Sequence, residues 1–153
     1  MSTRIDYYKA APQGLKPMMA LEAYFKECGL AHTIIELVKT RASQINGRAF
    51  CIDMHTADAR KQGESEIRLY MLSAWRESSR FTPKERAALA WTEALTLISE
   101  THAPDEDYQE LMQHFTEKEA ADLTLLIGTI NSWNRIAIGF RSVPLSERKQ
   151  QAA

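Results

Sequence analysis

Two helix-start signals of the same kind constrain the fold of this chain more than any other feature of its sequence. Residues 82–85 read Thr-Pro-Lys-Glu and residues 116–119 read Thr-Glu-Lys-Glu. Both runs have the capping-box pattern, in which a threonine and a glutamate three residues later satisfy each other's backbone N–H groups. Apolar residues recur at helical spacing after each signal, and β-branched residues are scattered rather than alternating. The chain is therefore predicted to be all-α.

Glycines and prolines are few and stand where helices are expected to end. About seven helices are predicted, near 18–28, 32–44, 49–63, 65–79, 82–100, 104–114 and 116–140. Pro12, Gly14 and Pro17 break helical patterns, so residues 1–17 are predicted to form an irregular arm. This arm either packs over its own domain or crosses onto a neighbouring subunit, and the second arrangement is favoured. One helical bundle over 18–145 and a polar tail over 146–153 complete the predicted organisation.

Composition excludes several function classes. The net charge is −1, so no basic excess points to nucleic acid. No apolar run approaches the roughly 18 residues that span a bilayer. The first residues lack the apolar core of a signal peptide, so a cytoplasmic location is expected. Two cysteines, Cys28 and Cys51, do not make a disulfide framework, and each is expected to be a packed or a reactive thiol.

The segment around Cys51 and His55 carries the most suggestive chemistry. Asn46 and Gly47 end one predicted helix, and the next one begins near Ala49. Positions four residues apart share a helix face, so the thiol and the imidazole are expected to face the same space. A cysteine in the first helical turn lies near the positive end of the helix dipole, which favours the thiolate. The sequence thus predicts a reactive thiol beside a base.

This segment resembles the active-site segment of the alkylhydroperoxidase D-like, carboxymuconolactone decarboxylase superfamily. The superfamily pattern is Glu, eleven residues, Cys, two residues, Cys, three residues, His. Glu36, Cys51 and His55 match the glutamate, the second cysteine and the histidine, whereas Arg48 stands where the first cysteine belongs. Further runs at 4–8, 91–95 and 130–135 are similar to the small single-domain branch, so the resemblance covers nearly the whole chain.

The resemblance implies an all-α fold and a homo-oligomer, either a trimer or a hexamer made from trimers. It also implies thiol peroxidase chemistry without a cofactor, with a hydroperoxide as substrate and an external thiol as reductant. Cys51 would be the nucleophile, His55 would move its proton, and Glu36 would orient His55 or relay the proton. Arg48 is a possible site cation, because a guanidinium favours a nearby thiolate.

Arg48 leaves Cys51 without a resolving thiol in the motif. Cys28 would serve only if its Cα lay within about 7 Å of that of Cys51. Otherwise oxidised Cys51 stops at the sulfenic acid until an external thiol reduces it. The expected activity is therefore weak or one-cysteine peroxidase chemistry.

Two other functions stay open at this point. One is a lyase like the carboxymuconolactone decarboxylases, in which His55 moves protons and Arg48 binds a carboxylate. The other is a non-catalytic oligomeric binding protein on the same fold. A metal site is not expected, because Glu36, Cys51 and His55 supply only three ligands and a structural zinc site takes four. The other histidines, His32, His102 and His114, are expected to be surface or cap residues.

Overall fold

One helix at the centre of the molecule organises the other elements. A computed structural model describes residues 2–143, and within them α3 (His32–Ile45) is buried on nearly all sides. Residues 34–40 are buried without interruption, although Glu36 and Lys39 are among them. This helix packs against three other helices, α4 (Ala49–Lys61), α6 (Pro83–Thr96) and α9 (Glu117–Gly139). The helix that carries Glu36 therefore lies in the middle of the bundle.

The remaining helices complete the bundle. In chain order they are α1 (Tyr7–Ala10), α2 (Pro12–Phe25), α5 (Glu66–Met71), α7 (Ile98–Thr101) and α8 (Asp105–His114), with a 3₁₀ helix over Leu72–Glu77 after α5. The described residues contain no β-strand. The all-α prediction is confirmed, with nine α-helices in residues 2–143 where about seven were expected. None of these helices combines the length and hydropathy that crossing a bilayer requires.

Both predicted capping boxes are present. The Thr82 side chain accepts from Glu85 N while the Glu85 carboxylate accepts from Thr82 N, and Thr116 and Glu119 repeat the arrangement. Such a cap stabilises a helix by about 1 kcal/mol. The predicted helix over 82–100 is nevertheless divided. The backbone leaves helical geometry at Leu97, so α6 ends at Thr96 and the short α7 follows.

The prediction that residues 1–17 are irregular is wrong for most of that segment. Asp6 caps α1 by accepting from the N–H groups of the next turn, and α2 begins at Pro12. Proline suits a first helical position because its missing N–H has no helical partner there. Pro17 lies inside α2 but is exposed, so the backbone carbonyl that it leaves unpaired can face water. Leu15 holds this turn in place by burying its side chain.

The residues before α1 are tied to the end of α9 of the same chain. Arg4 N donates to Phe140 O at 2.9 Å, and Arg4 NH1 donates to Gly139 O at 3.0 Å. The Tyr7 ring lies 6.0 Å from that of Phe140. Within the chain the N-terminal residues therefore pack over their own domain. The predicted polar tail, 146–153, lies outside the described residues.

Candidate active site

The turn between α3 and α4 sets the geometry of the candidate site. Asn46 caps the end of α3, and Gly47 follows with φ of +68°, a conformation that side chains with a Cβ rarely adopt. Arg48 is the N-cap of α4, and its N–H donates to Ser43 O at 2.9 Å. The predicted break at Asn46 and Gly47 is thus present. It lays the first turns of α4 along α3, so that Cys51 and His55 face residues of the central helix.

Glu36 and His55 form a buried pair across the α3–α4 seam. His55 Nδ1 lies 3.1 Å from Glu36 Oε2, and the two residues are 5% and 6% exposed. A carboxylate can only accept, so the neutral imidazole donates through Nδ1–H and keeps its lone pair on Nε2. A bond of this kind fixes both the tautomer and the orientation of the ring. His55 is thereby prepared to accept a proton through Nε2.

The buried Glu36 carboxylate is also connected to the protein surface through His32. His32 begins α3, and its Nδ1 lies 3.9 Å from Glu36 Oε1. The Nε2 atom of His32 lies 2.7 Å from the amide nitrogen of Gln62 on the far end of α4. His32 is exposed, as predicted, but it is not isolated. It stands at the surface end of a row of polar groups that reaches His55.

Cys51 is in the first turn of α4, as predicted, but its electrostatics differ from the expectation. The residue is only 4% exposed and packs against Ala42 and Ile130. Burial raises the pKa of the Cys51 thiol above its ordinary value and outweighs the opposing effects of the Arg48 charge and of hydrogen bonds from Ser43 and Arg48. The first-turn position therefore does not produce a resting thiolate. Deprotonation of Cys51 needs a base.

Arg48 lies under the protein surface rather than on it. It is 8% exposed, and its NH2 donates to Ser142 O at 2.6 Å. Its guanidinium also lies 5.4 Å from the centre of the Phe50 ring. The Nε atom is buried and has no hydrogen-bond partner in the part of the chain that the structure describes. The geometry thus places Arg48 in the interior near Cys51.

Cys51 and His55 line one pocket of about 430 Å³. Most of its wall is apolar, and it is formed by side chains from α1, α2, α4 and α9: Tyr7, Tyr8, Met19, Phe50, Met54, Ile130, Trp133 and Ala137. Arg48 does not line this pocket. It borders a neighbouring cavity of about 470 Å³ that also contacts Asp6 and Ser142. The thiol and the imidazole therefore share an apolar site from which the guanidinium is set back.

Several site residues were missed by sequence reasoning. Ser43 hydrogen-bonds to the Cys51 thiol, and its Oγ lies 3.3 Å from Asn134 Oδ1. Lys39 is buried and pairs with Glu22 at 2.7 Å, and Glu22 lines the pocket. Their signal in the sequence is a set of polar residues inside the apolar run of α3. That pattern identifies buried polar groups but not the residues they contact.

Asn131 and Cys28 make contacts that hold the bundle together rather than contacts to Cys51. Asn131 accepts from Asn46 and donates to Thr96, so it joins three helices. Cys28 lies after α2, where its thiol donates to Phe25 O and packs in a different cluster from Cys51. Both cysteines are free thiols. This placement does not favour Cys28 as the resolving partner.

One group of potential metal ligands occurs within residues 2–143. Glu36, His55 and Asp58 each offer an atom within 4.8 Å of the others. The third potential ligand is therefore Asp58 and not Cys51, which the sequence suggested. Three ligands are one fewer than a closed structural zinc site needs.

Comparisons with known proteins agree with this architecture. A family model described as the carboxymuconolactone decarboxylase family matches residues 12–94. The uncharacterized protein YdfG of Bacillus subtilis is 51% identical over 138 residues, which cover 90% of this chain and 94% of YdfG. The solved structure of ATU0492 from Agrobacterium tumefaciens has a TM-score of 0.90 and 50% identity, covering 94% of this chain and 98% of that one. ATU0492 is described as a protein of unknown function and a candidate antioxidant-defence AhpD.

A more distant likeness concerns the fold alone. An uncharacterized peroxidase-related protein from Silicibacter sp. TM1040 has a TM-score of 0.80 at 22% identity, covering 92% of this chain and 74% of that one. The family model and the two more similar relatives confirm the resemblance stated from the sequence. The family match spans more than half of the chain, and the two relatives at about 50% identity span nearly all of it. The chain belongs to the carboxymuconolactone decarboxylase family, within the alkylhydroperoxidase D-like superfamily.

Proposed function

We propose that the protein is a one-cysteine thiol peroxidase, in which Cys51 reduces organic hydroperoxides. The observation that carries this proposal is the shared pocket. Cys51 and His55 face one apolar cavity, and Glu36 orients His55 through a hydrogen bond to Nδ1. A nucleophile, a base and a group that orients the base form the arrangement of nucleophilic catalysis.

His55 supplies the step that the raised pKa of Cys51 makes necessary. Its Nε2 takes the thiol proton when the hydroperoxide occupies the pocket, and Glu36 stabilises the imidazolium that results. The thiolate then attacks the distal peroxide oxygen, so that an S–O bond forms and the O–O bond breaks. The leaving alkoxide takes the proton from His55. Cys51 becomes a sulfenic acid, and the hydroperoxide becomes an alcohol.

An external thiol completes the cycle, because Arg48 stands where the family pattern has a resolving cysteine. The first external thiol displaces water from the sulfenic acid and leaves a mixed disulfide on Cys51. A second external thiol attacks that disulfide and releases the Cys51 thiol together with an oxidised reductant. Two thiols are oxidised for each hydroperoxide reduced, so atoms and electrons balance.

The lyase alternative receives less support from the geometry. It assigns Arg48 to a substrate carboxylate next to His55, but Arg48 does not line the pocket that holds His55. Its NH2 is also already bonded to Ser142 O. The non-catalytic alternative and the peroxidase both accommodate a protonated Cys51. Peroxide turnover, rather than thiol labelling, is therefore the measurement that separates them.

The test measures consumption of tert-butyl hydroperoxide with dithiothreitol as the reductant. Cys51→Ser is expected to abolish turnover, whereas Cys28→Ser, the matched control, is expected to retain it. Turnover by Cys51→Ser at the rate of the parent protein would reject the proposal. Lactone decarboxylation that survives Cys51→Ser but is lost in His55→Ala would favour the lyase instead.

We also propose that the protein is a cytoplasmic homo-oligomer, for which the family resemblance implies either a trimer or a hexamer. Several large apolar side chains are exposed on the single chain, among them Leu125 and Ile138 on α9. Burial of such side chains against a second subunit would stabilise an assembly. Sedimentation equilibrium of the purified protein gives the subunit number directly, and a monomer at micromolar concentration would contradict this proposal.

A further inference from the structure

Two hydrogen-bond donors in the interior near Cys51 have no acceptor within the described part of the chain. Arg48 Nε and Asn134 Nδ2 are both buried from solvent and have no hydrogen-bond partner among residues 2–143. A buried polar group without a partner destabilises the folded state, and a charged one does so more strongly. Native structures leave few such groups, so two of them in one neighbourhood call for an explanation.

Both donors are connected to the Cys51 thiol. Arg48 precedes α4 and Cys51 is in the first turn of that helix, and the two side chains interact directly. Ser43 touches the thiol from α3 and is hydrogen-bonded to Asn134 of α9. The guanidinium cannot turn freely, because its NH2 is held by the carbonyl of Ser142. The buried Nε–H is therefore held in the interior, on a side chain whose charge acts on the Cys51 thiol.

Reduced Cys51 offers these donors only a weakly accepting sulfur. Oxidation to the sulfenic state adds an oxygen to that sulfur. When the sulfenic acid loses its proton to His55, this oxygen becomes a negatively charged acceptor. A charge-assisted hydrogen bond from a guanidinium is among the strong bonds available inside a protein.

We propose that Arg48 is an anion-binding residue for oxidised Cys51, and that its unpaired Nε–H holds the sulfenate oxygen so that the sulfenate is long-lived. Arg48 then does more than replace a resolving cysteine. It stabilises the intermediate that a resolving cysteine would consume. The protein keeps its oxidised state until an external thiol enters the pocket. This inference rests on the proposed function for its biological oxidant, but the sulfenate can be made chemically without turnover.

The experiment uses Cys28→Ser as the parent, so that Cys51 is the only thiol. The protein is oxidised with one equivalent of hydrogen peroxide, and the remaining sulfenate is trapped with dimedone at increasing times and measured by intact mass. Arg48→Met should shorten the sulfenate lifetime by about tenfold or more, the factor that one lost charge-assisted bond supplies. Arg48→Lys keeps the charge but lacks the Nε donor, so its sulfenate lifetime should lie between those of the parent and Arg48→Met. Arg60→Met, at the exposed end of α4, is the control and should match the parent.

A second measurement needs no change at Arg48. If the sulfenate satisfies a donor that is unpaired in the reduced protein, the oxidised parent should unfold at a higher temperature than the reduced parent. Equal sulfenate lifetimes in the parent and Arg48→Met, or a lower unfolding temperature after oxidation, would overturn the inference. A long-lived sulfenate without catalytic turnover would instead reject the proposed function and leave this inference standing.

Discussion

Glu36 Oε2 and His55 Nδ1 meet at 3.1 Å inside the protein, although they lie on different helices and 19 positions apart in the chain. Both side chains are polar, although both are buried in the protein interior. Burial of a carboxylate costs free energy unless a donor satisfies it, and His55 provides that donor. The pair therefore links the central helix to the helix that carries Cys51.

Replacement of Glu36 by glutamine is expected to lower hydroperoxide turnover by about 10²-fold, the smaller effect typical of a proton-transfer group. Glutamine keeps the size of the side chain but removes the negative charge that stabilises the imidazolium. Turnover at fixed peroxide and dithiothreitol is the readout. Glu110→Gln is a matched control, because Glu110 pairs with His114 at 3.1 Å on the exposed helix α8. Equal losses in both variants would argue against a specific role for Glu36.

Alkylation of Cys51 by iodoacetamide is expected to be slow at neutral pH and to accelerate as the pH passes the ordinary thiol value of 9.0. Burial raises the pKa of Cys51, so the reactive thiolate forms only at higher pH. Arg48 acts in the opposite direction, so Arg48→Met should shift the profile further toward alkaline pH. The measurement is labelling rate against pH in the Cys28→Ser background. A profile centred below 9.0 would contradict the effect of burial.

Introduction of cysteine at position 48 restores the family spacing and is expected to produce an intramolecular disulfide with Cys51 after peroxide treatment. Intact mass under non-reducing conditions detects the loss of two hydrogens, and turnover should exceed that of the parent. Ala49→Cys is the matched control, because it adds a thiol one position away on an exposed part of α4. Disulfide formation in Ala49→Cys but not in Arg48→Cys would show that the site geometry has diverged from the family pattern.

Leu126→Ala is expected to lower the free energy of unfolding by about 2–5 kcal/mol, because it opens a cavity in the core. Its neighbour Leu125 is 49% exposed, whereas Leu126 is fully buried. Leu125→Ala should therefore change stability by only about 0.5 kcal/mol. Urea unfolding at one protein concentration compares the two. Similar losses in both variants would indicate that Leu125 is also buried, as in a subunit interface.

Stability should fall in acid partly because of Glu93. Burial acts to raise the pKa of this carboxyl, but hydrogen bonds from Trp75, Arg41 and Arg76 outweigh it and leave the pKa below its ordinary value of 4.5. Folding therefore gains from the ionised form above pH 4.5, and this gain is lost as the pH falls through the lower folded value. Glu93→Gln should flatten this part of the curve of unfolding free energy against pH. An unchanged acid slope would contradict the assignment.

The fold was largely predictable because its local signals agree with the tertiary structure. Thr82 and Thr116 cap helices in the structure as their spacing indicates. The predictions were wrong where the effect of a residue depends on its place within the helix. Pro12 and Pro17 look like helix breakers, but one begins a helix and the other faces solvent within it. A sequence pattern does not say which side of a helix will be exposed.

The sequence predicted that Cys51 and His55 face the same space, but it did not predict the electrostatics of the site or its buried polar neighbours. The spacing of Glu36, Cys51 and His55 identified a pair that the structure brings into contact and a thiol that shares the pocket. The first-turn position of Cys51 suggested a lowered pKa, whereas burial raises it. Burial depends on Ala42 and Ile130, which lie on other helices.

The carbonyl that holds Arg48 belongs to a tight reversal at the end of α9. Arg141 has φ of +52°, and Ser142 N donates to Ala137 O at 2.9 Å, so this turn directs the Ser142 carbonyl toward α4. The position of the guanidinium thus depends on backbone almost a hundred residues further along the chain. Relatives that share every pocket side chain but differ in this reversal should differ in how long the equivalent cysteine stays oxidised after it has reacted with peroxide.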